Sequence, residues 1–566
     1  MVKKQAQPQN ETPARAIAVF VYVLLAALVM LPLFKPGYVL TVDLVFTPKI
    51  PLPDSLSASY PFWAVLHFIN ILVQAQIIEK ALLFAVLVLA GFGAHSFVEK
   101  LQAKSADGLA GRWAAYFAGV FYMFNPFVYS RFMAGQFMVL LGYALIPFFA
   151  AALWQFCKKP ERNGALLVAL WTTVVAIVSI HTLGLLAVIA ITMGALFALQ
   201  RRHDKRWLVG FLKWAGMGLG LTLVLNSYWL VPLLFGHGPT AHIVDGFTRS
   251  DLHAFATGSR GFGLVGNVLG LQGFWGDSKN LFLVSQDVFS WWRVPIVLLW
   301  ALVLYGVTVG LRRQRGVTLA FIALAFIGMV LSIGTAGTFF APVNEWFVNT
   351  LPFFAGYREP QKFVALIALA YVYFGSVAVI SIVQLAQKQK ALKDHAQTIA
   401  FVMCLLPLLC APLMPWGFHG QLHAAEYPVE WNAINDRLTA ECRKDCKVLF
   451  LPWHLYMRYS FAGRIIADPA PKFFHSSIVA SSDPELQGAA PYGLSPTQKA
   501  MAATIPPKAA AGSNHVAADV YQYDIRYILL AKENDYEKYS YLDAQKNIQV
   551  VMDTPTLKLY EVKQND

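Results

Sequence analysis

The sequence is poor in charged residues, and this shortage limits what the protein can be. Only 14% of its 566 residues are charged, whereas 57% are hydrophobic. A soluble domain carries about a quarter charged residues. The composition therefore excludes an ordinary soluble protein and predicts a polytopic α-helical membrane protein.

Cysteine is also scarce, and the five cysteines predict no metal site, because no histidines accompany them at zinc-like spacing. Cys157, Cys404 and Cys410 lie in or beside apolar segments, which is typical of inert core thiols. Cys442 and Cys446, in "ECRKDC", are the one close pair. On a helix the two would share one face, and both a disulfide and two free thiols are compatible with this spacing.

The net charge of +13 does not indicate a nucleic-acid partner, because the cations form short clusters between apolar runs. That distribution is typical of the cytoplasmic loops of membrane proteins. The expected environment is membrane lipid, with no nucleic acid bound.

Apolar windows long enough to cross roughly 30 Å of hydrocarbon recur as far as residue 417. They predict about eleven transmembrane helices in a domain spanning residues 1–417. The windows are 16–34, 78–98, 113–129, 136–156, 164–181, 183–200, 207–235, 292–311, 317–340, 362–385 and 397–417.

Lys and Arg predict how these helices are oriented. With eleven spans, all the basic clusters fall on one side, which must be cytoplasmic. The N-terminus is then cytoplasmic, and the protein is integral to the cell (plasma) membrane. The clusters lie within 3–15, 100–112, 158–162, 201–206, 312–315 and 388–393.

From residue 418 the composition changes. The runs "CKVLFLPWHLYMRY", "DIRYILLAKENDYEKY" and "TPTLKLYEV" are short and rich in aromatic and branched residues, which is typical of strands. They predict a soluble α/β domain over residues 418–566, on the extracytoplasmic side.

Charged and polar side chains from separate segments fall on that same outward side. Charged groups at the end of a span are unfavourable and need a reason. The candidates are Asp43 in the first loop, Arg131 in a hairpin, His181 in a turn, and Arg358, Glu359 and Lys362 at the start of the tenth span.

These residue types suit chemistry on a phosphate ester. Guanidinium groups match phosphate oxygens in a bidentate way, and a lysine adds a point charge. A carboxylate such as Asp43 can take a proton from an incoming hydroxyl. Together they predict sugar transfer from a phosphate-linked donor, and the membrane setting indicates a lipid donor.

Structural explanations compete with this prediction. Arg131 can be an interfacial residue whose charge reaches the lipid headgroups, and His181 can be a helix cap. Arg358, Glu359 and Lys362 can form salt bridges among themselves. Glu359 either orients Arg358 or pairs with Lys362 three residues later, and the sequence leaves both open.

The order of these motifs resembles a known family. The Asp after span one, the hairpin "FNPFVYSRFMAGQF", the segment "NSYWLVP" and the span start "REPQKF" are similar to the GT-C superfamily of membrane glycosyltransferases. Within it, the resemblance is to the YfhO-type and arabinofuranosyltransferase-like proteins, and it runs over residues 16–385.

The resemblance implies a polyprenyl-phosphate sugar donor, an inverting transfer, and a glycan, lipid or protein acceptor. It places the general base on Asp43 and the donor phosphate on Arg358 and Lys362. Asp43 stands without an adjacent acidic residue, so use of a divalent cation, Mg²⁺ or Mn²⁺, stays open. Two other hypotheses remain: a transporter or lipid flippase, and a non-catalytic polysaccharide-assembly scaffold.

Overall fold

The computed structural model describes residues 11–102, 108–235, 249–337, 339–351, 354–442, 446–486, 489, 491, 494–511 and 516–563. Within these ranges, long helices occupy the part before residue 411, and the seven strands follow residue 446.

The helices before residue 411 are α1 Glu11–Met30, α2 Tyr60–Asn70, α3 Ala75–Leu101, α4 Leu109–Met123, α5 Pro126–Met133, α6 Phe137–Lys158, α7 Arg162–Val178, α8 Ile180–Gln200, α9 Lys205–Leu225, α10 Ser227–Leu234, α11 Arg249–Ala254, α12 Gly263–Leu269, α13 Ser285–Val288, α14 Arg293–Arg313, α15 Arg315–Ile333, α16 Ala341–Thr350, α17 Val364–Lys388 and α18 Ala396–Cys410.

Each of the eleven predicted windows coincides with one or two of these helices. In the described ranges, nine helical segments are long and apolar enough to cross a membrane. The other two windows fall on α4, which has 15 residues, and α7, which has 17. The window 113–129 is interrupted because the chain is extended at Phe124 and Asn125, before Pro126 starts α5. The prediction of a polytopic helical membrane protein is confirmed.

α17 forms the centre of the bundle, and every residue of its most apolar window is buried. Glycines allow neighbouring helices to approach it closely. A Cβ at Gly306 of α14 would lie 2.0 Å from the carbonyl oxygen of Phe374, and one at Gly375 would lie 2.2 Å from the Phe117 ring. Small residues at such crossings are how helices pack tightly in lipid.

Hydrogen bonds join helix ends that carry three of the basic clusters. Gln314, between α14 and α15, donates to Gln102 after α3 (3.3 Å), and Arg313 donates to Gln384 of α17 (3.1 Å). These clusters therefore lie at one end of the bundle, as the charge pattern predicts.

The C-terminal part is built around a five-stranded mixed sheet in the order β4-β1-β5-β7-β6. β1 runs parallel to β4 and β5, and β7 runs antiparallel to β5 and β6; β2 and β3 form a separate antiparallel ribbon. The strands are β1 Lys447–Leu451, β2 Tyr456–Tyr459, β3 Arg464–Ala467, β4 Ser477–Val479, β5 Ile525–Ala531, β6 Ile548–Asp553 and β7 Leu557–Val562. The remaining helices are α19 Val429–Glu441, α20 Ala470–Phe473, α21 Pro496–Ala511 and α22 Val516–Tyr521.

Alternating residues explain how this sheet is buried. Leu449, Leu451, Ile528 and Leu530 pack in one apolar cluster, whereas Phe450 and Leu529 belong to the core shared with the helical bundle. Side chains of successive strand residues point to opposite faces, so the sheet is covered on both sides. The prediction of a C-terminal domain with strands and helices is confirmed.

The cysteine pair lies at the start of this domain, and Cys442 and Cys446 form a disulfide. They do not share a helix face, because α19 ends at Glu441 and Cys442 is its C-terminal cap.

The first loop is clamped between the bundle and the C-terminal domain. Tyr38 exchanges backbone hydrogen bonds with Ala425 (2.7 and 2.9 Å). Val42 accepts from the backbone of Ala467 (2.7 Å) and donates to that of Ile465 (3.3 Å), which attaches the loop to β3. The ribbon therefore holds the backbone next to Asp43.

On its other side, the loop lies directly against Gly135. This glycine has φ +76°, and a Cβ there would lie 2.2 Å from the Leu44 nitrogen and 2.5 Å from the Thr41 oxygen. Only glycine fits both the left-handed backbone and this close approach.

We expect Gly135→Ala to lower the free energy of unfolding by about 1–3 kcal/mol, because the added methyl group pushes two backbone segments apart. Thermal unfolding of the purified protein in detergent measures the change. Gly216→Ala is the matched control, since nothing lies within 4 Å of a Cβ at that helical glycine. Equal melting temperatures for the two variants would contradict the steric argument.

Candidate functional site

A cavity of about 820 Å³ lies where the first loop, the hairpin around Gly135, α8, α10, the start of α17 and the C-terminal domain meet. Five of the predicted site residues line it: Asp43, His181, Arg358, Glu359 and Lys362. Side chains that are far apart in the sequence thus face one common space.

Asp43 is held in place by backbone contacts on both sides. Its N–H donates to the carbonyl of Ala134 (3.1 Å), and the hydroxyl of the nearby Thr41 donates to Met133 (2.7 Å). Val42 takes the left-handed φ of +30°, which is strained for a β-branched residue. The backbone therefore presents the Asp43 carboxylate to the cavity in one orientation.

Two side chains donate to that carboxylate. The Tyr456 hydroxyl of β2 donates to Oδ1 (2.6 Å), and the Gln136 amide donates to Oδ2 (3.4 Å). Asp43 is open to the cavity, yet protein surrounds the cavity itself. Burial raises the pKa of Asp43, and the hydrogen bond from Tyr456 opposes that rise.

Glu359 lines the cavity and occupies the centre of a buried network there. Its carboxylate accepts from Arg131 (2.7 Å) and Gln136 (3.2 Å), and Lys362 lies 3.7 Å away. The cations Lys362 and Arg131 hold the pKa of Glu359 well below its usual range, although burial acts against them more strongly than any single cation. The sequence left open whether Glu359 orients Arg358 or pairs with Lys362, and the pairing with Lys362 is present.

Arg131 does not line the cavity. Its side chain is 1% exposed, and its guanidinium group also lies over the ring of Phe274, 4.6 Å from the centroid. Arg131 forms an ion pair with Glu359 but does not itself line the cavity, so it belongs to the network and not to the cavity wall.

Arg358 and Lys362 supply positive charge to the cavity wall. The Arg358 guanidinium lies over the ring of Phe255 (4.4 Å) and 3.9 Å from the buried Asp251. These contacts fix the group while it still lines the cavity. No sequence pattern marked Asp251 as its partner.

Another part of the cavity wall is apolar. Ile180, Leu183, Leu230, Leu233 and Leu234 line it. Leu234 is 70% exposed on the outside of the bundle, so this wall continues into the surface that faces lipid. His181, next to Ile180 on α8, also lines the cavity, and its carbonyl accepts from the Tyr357 hydroxyl (2.7 Å).

Two residues of the site were missed in the sequence because they come from the C-terminal domain. Tyr456 binds Asp43, and Lys472 lines the cavity and donates to the Val45 carbonyl (3.3 Å). Both are more than 400 positions from Asp43, and no local pattern marks either one. Gln136 lies within the hairpin motif "FNPFVYSRFMAGQF", but its role in linking Asp43 to Glu359 was not predicted.

The donor groups around the cavity do not fit a divalent cation. Mg²⁺ and Mn²⁺ take several oxygen ligands, and the described part of the chain brings no three His, Cys, Asp or Glu side chains together for a metal. The second carboxylate of the cavity, Glu359, is already paired with Arg131 and Lys362.

Comparison by sequence finds no matching family model and no matching curated protein. Comparison of structures gives clear matches to the arabinofuranosyltransferase AftD from Mycobacteria. One AftD structure matches with a TM-score of 0.65 at 15% identity over 98% of this chain. A mutant form matches with a TM-score of 0.64, also at 15% identity over 98% of this chain.

The chain spans about two fifths of the AftD chains that it matches, 40% and 42% of their lengths. At this identity the likeness concerns the fold. The resemblance seen in the sequence motifs is confirmed at that level: the chain shares the fold of the AftD arabinofuranosyltransferase structures.

Proposed function

We propose that this protein is a membrane glycosyltransferase. It transfers a sugar from a polyprenyl-phosphate-linked donor to a glycan, lipid or protein acceptor on the extracytoplasmic side. The observation that carries the proposal is the cavity itself, which combines one hydrogen-bonded carboxylate, a cationic wall and an apolar wall that reaches the lipid-facing surface.

The two walls match the two ends of such a donor. A polyprenyl chain would lie along Leu230, Leu233 and Leu234, where apolar contact favours it. The phosphate would then face Arg358 and Lys362, which offer charge-assisted hydrogen bonds. The sugar would lie between them, beside Asp43.

The chemistry follows from this arrangement. The acceptor oxygen attacks the anomeric carbon of the sugar from the face opposite the phosphate, and its proton passes to the Asp43 carboxylate. The bond between the anomeric carbon and the phosphate oxygen breaks, and its electron pair leaves with the phosphate. Arg358 and Lys362 stabilise the departing negative charge, and one displacement inverts the anomeric centre.

Other residues act through these groups. Tyr456 and Gln136 orient the base by donating to its two oxygens. Arg131 and Glu359 are positioning residues, because they fix Gln136 and Lys362 without having to touch the substrate. The AftD fold supports this class of reaction, and the transfer assays below test it.

We expect Asp43→Asn to lower sugar transfer about 10²–10⁴-fold, because the amide cannot accept the acceptor proton. Membranes carrying the variant are assayed with a labelled polyprenyl-phosphate sugar. Asp54→Asn, an exposed change in the same loop that lies outside the cavity, serves as the control. Unchanged transfer by Asp43→Asn would remove Asp43 from the role of base.

We expect Tyr456→Phe to move the acid limb of the pH profile of transfer to higher pH. Transfer needs ionised Asp43 and falls as the pH drops through its pKa. Loss of the Tyr456 hydrogen bond removes an effect that lowers this pKa. The profile of kcat/KM against pH measures the shift. A uniform loss of rate with an unmoved limb would show that Tyr456 has only a structural role.

We expect Arg358→Gln and Lys362→Gln each to raise the KM for the donor about tenfold, since each removes a charged contact with phosphate. The KM for the acceptor should stay the same. Lys35→Gln makes the same change of charge at a first-loop residue outside the cavity. A raised acceptor KM with a normal donor KM would place the phosphate elsewhere.

A further inference from the structure

A second cavity, of about 300 Å³, lies directly beside the first. Val45, Phe46, Trp63 and Lys472 line both cavities, so the two spaces adjoin at these residues. Asp43 lines the main cavity only. The second cavity, here called the side cavity, therefore lies next to the space that the proposed base faces.

Two lysines from distant segments meet at the side cavity. Lys49 belongs to the first loop and Lys472 to the C-terminal domain, and both line the space. The Thr47 hydroxyl lies 2.8 Å from the carbonyl oxygen of Lys49 and 3.1 Å from that of Lys472, within hydrogen-bond reach of both. One side chain thus ties the backbones of the two lysines together.

The wall of the side cavity is held in place by further contacts. Asn70 accepts from the backbone of Ile50 (2.8 Å), and His67 bonds to the Ile50 carbonyl (2.7 Å). These bonds anchor the loop that carries Lys49 to α2. The space is a formed pocket rather than a gap beside a loose loop.

The charge of this lining has one sign. Besides the two lysines, its polar members are the hydroxyl-bearing residues Thr47, Ser57 and Ser59, and its lining as described contains no Asp or Glu. In the described part of the chain, neither lysine has a salt bridge to a carboxylate within 4 Å. With two lysines and no carboxylate in its lining, the side cavity carries an excess of positive charge, which favours an anionic ligand over a neutral one of the same shape.

The chemistry of the walls points to a sugar that carries the anion. Trp63 and Phe46 offer flat apolar faces, and the hydroxyls can bond to sugar hydroxyls. The volume lies at the lower end of the roughly 300–1,000 Å³ of ligand pockets. Lys472 lines both cavities, so a ligand bound to it in the side cavity lies beside the space that Asp43 faces.

We propose that the side cavity is the acceptor site and that it takes an acidic glycan, a sugar carrying a carboxylate or a phosphate. That the ligand is an acceptor of sugar transfer rests on the proposed function. Lys49 and Lys472 bind the acidic group, and a neighbouring hydroxyl of the same glycan extends past the shared residue Lys472 to Asp43. Acceptor choice is then set by charge.

Binding to the purified full-length protein in lipid nanodiscs tests the site without a donor. The probes are a disaccharide containing glucuronic acid, the matching neutral glucose disaccharide, glucose 6-phosphate and inorganic phosphate. We expect at least about tenfold tighter binding of an acidic sugar than of the neutral disaccharide. Lys49→Gln and Lys472→Gln should each reduce that preference. Lys546→Gln, an exposed change in the same domain away from the pocket, should leave it intact.

Equal affinity for acidic and neutral disaccharides, or an unchanged preference in both lysine variants, would overturn the proposal. Inorganic phosphate binding as tightly as glucose 6-phosphate would overturn the assignment to a sugar. The two proposals fail separately. If the protein binds acidic sugars selectively but transfers no sugar, the anionic site is upheld and the glycosyltransferase function is rejected. If it transfers sugar but binds acidic and neutral sugars equally, the glycosyltransferase function is upheld and the anionic site is rejected.

Discussion

The buried carboxylate of Glu359 is the group on which the arrangement of the site depends. Removing a carboxylate from water is unfavourable unless cations and hydrogen bonds replace the water. Arg131, Lys362 and Gln136 provide that replacement, and Arg131 is itself almost fully buried. Because each partner would be left unsatisfied without the others, the hairpin carrying Arg131 and Gln136 is bound to the start of α17.

The same network reaches the proposed base. Gln136 donates to both Glu359 and Asp43, so the position of the ion pair determines the position of an amide that orients the base. Tyr456 approaches Asp43 from the other side. The base is thereby held between the membrane bundle and the C-terminal domain. That domain is part of the site, since both Tyr456 and Lys472 belong to it.

The walls of the two cavities divide the surroundings of Asp43 by chemistry. One side is apolar and continuous with the lipid-facing surface at Leu234. The side cavity beyond Lys472 is cationic and rich in hydroxyls. A reaction between a lipid-linked molecule and a polar one needs both environments within reach of one base, and the fold brings them together there.

The sequence by itself determined the membrane class, the positions of the helices and the presence of a C-terminal domain with strands, because long apolar runs and alternating residues act locally. It also identified the side chains of the site as unusual, since charge beside a span is unfavourable wherever the chain folds. Only the tertiary structure decided which of them meet. Arg131 does not line the cavity, although the sequence motif predicted it as a binding residue. Tyr456 and Lys472 lie near Asp43 although more than 400 positions separate them from it in the sequence. Contacts over such distances arise from packing and from the pairing of buried charges, and neither leaves a periodic signal in the chain.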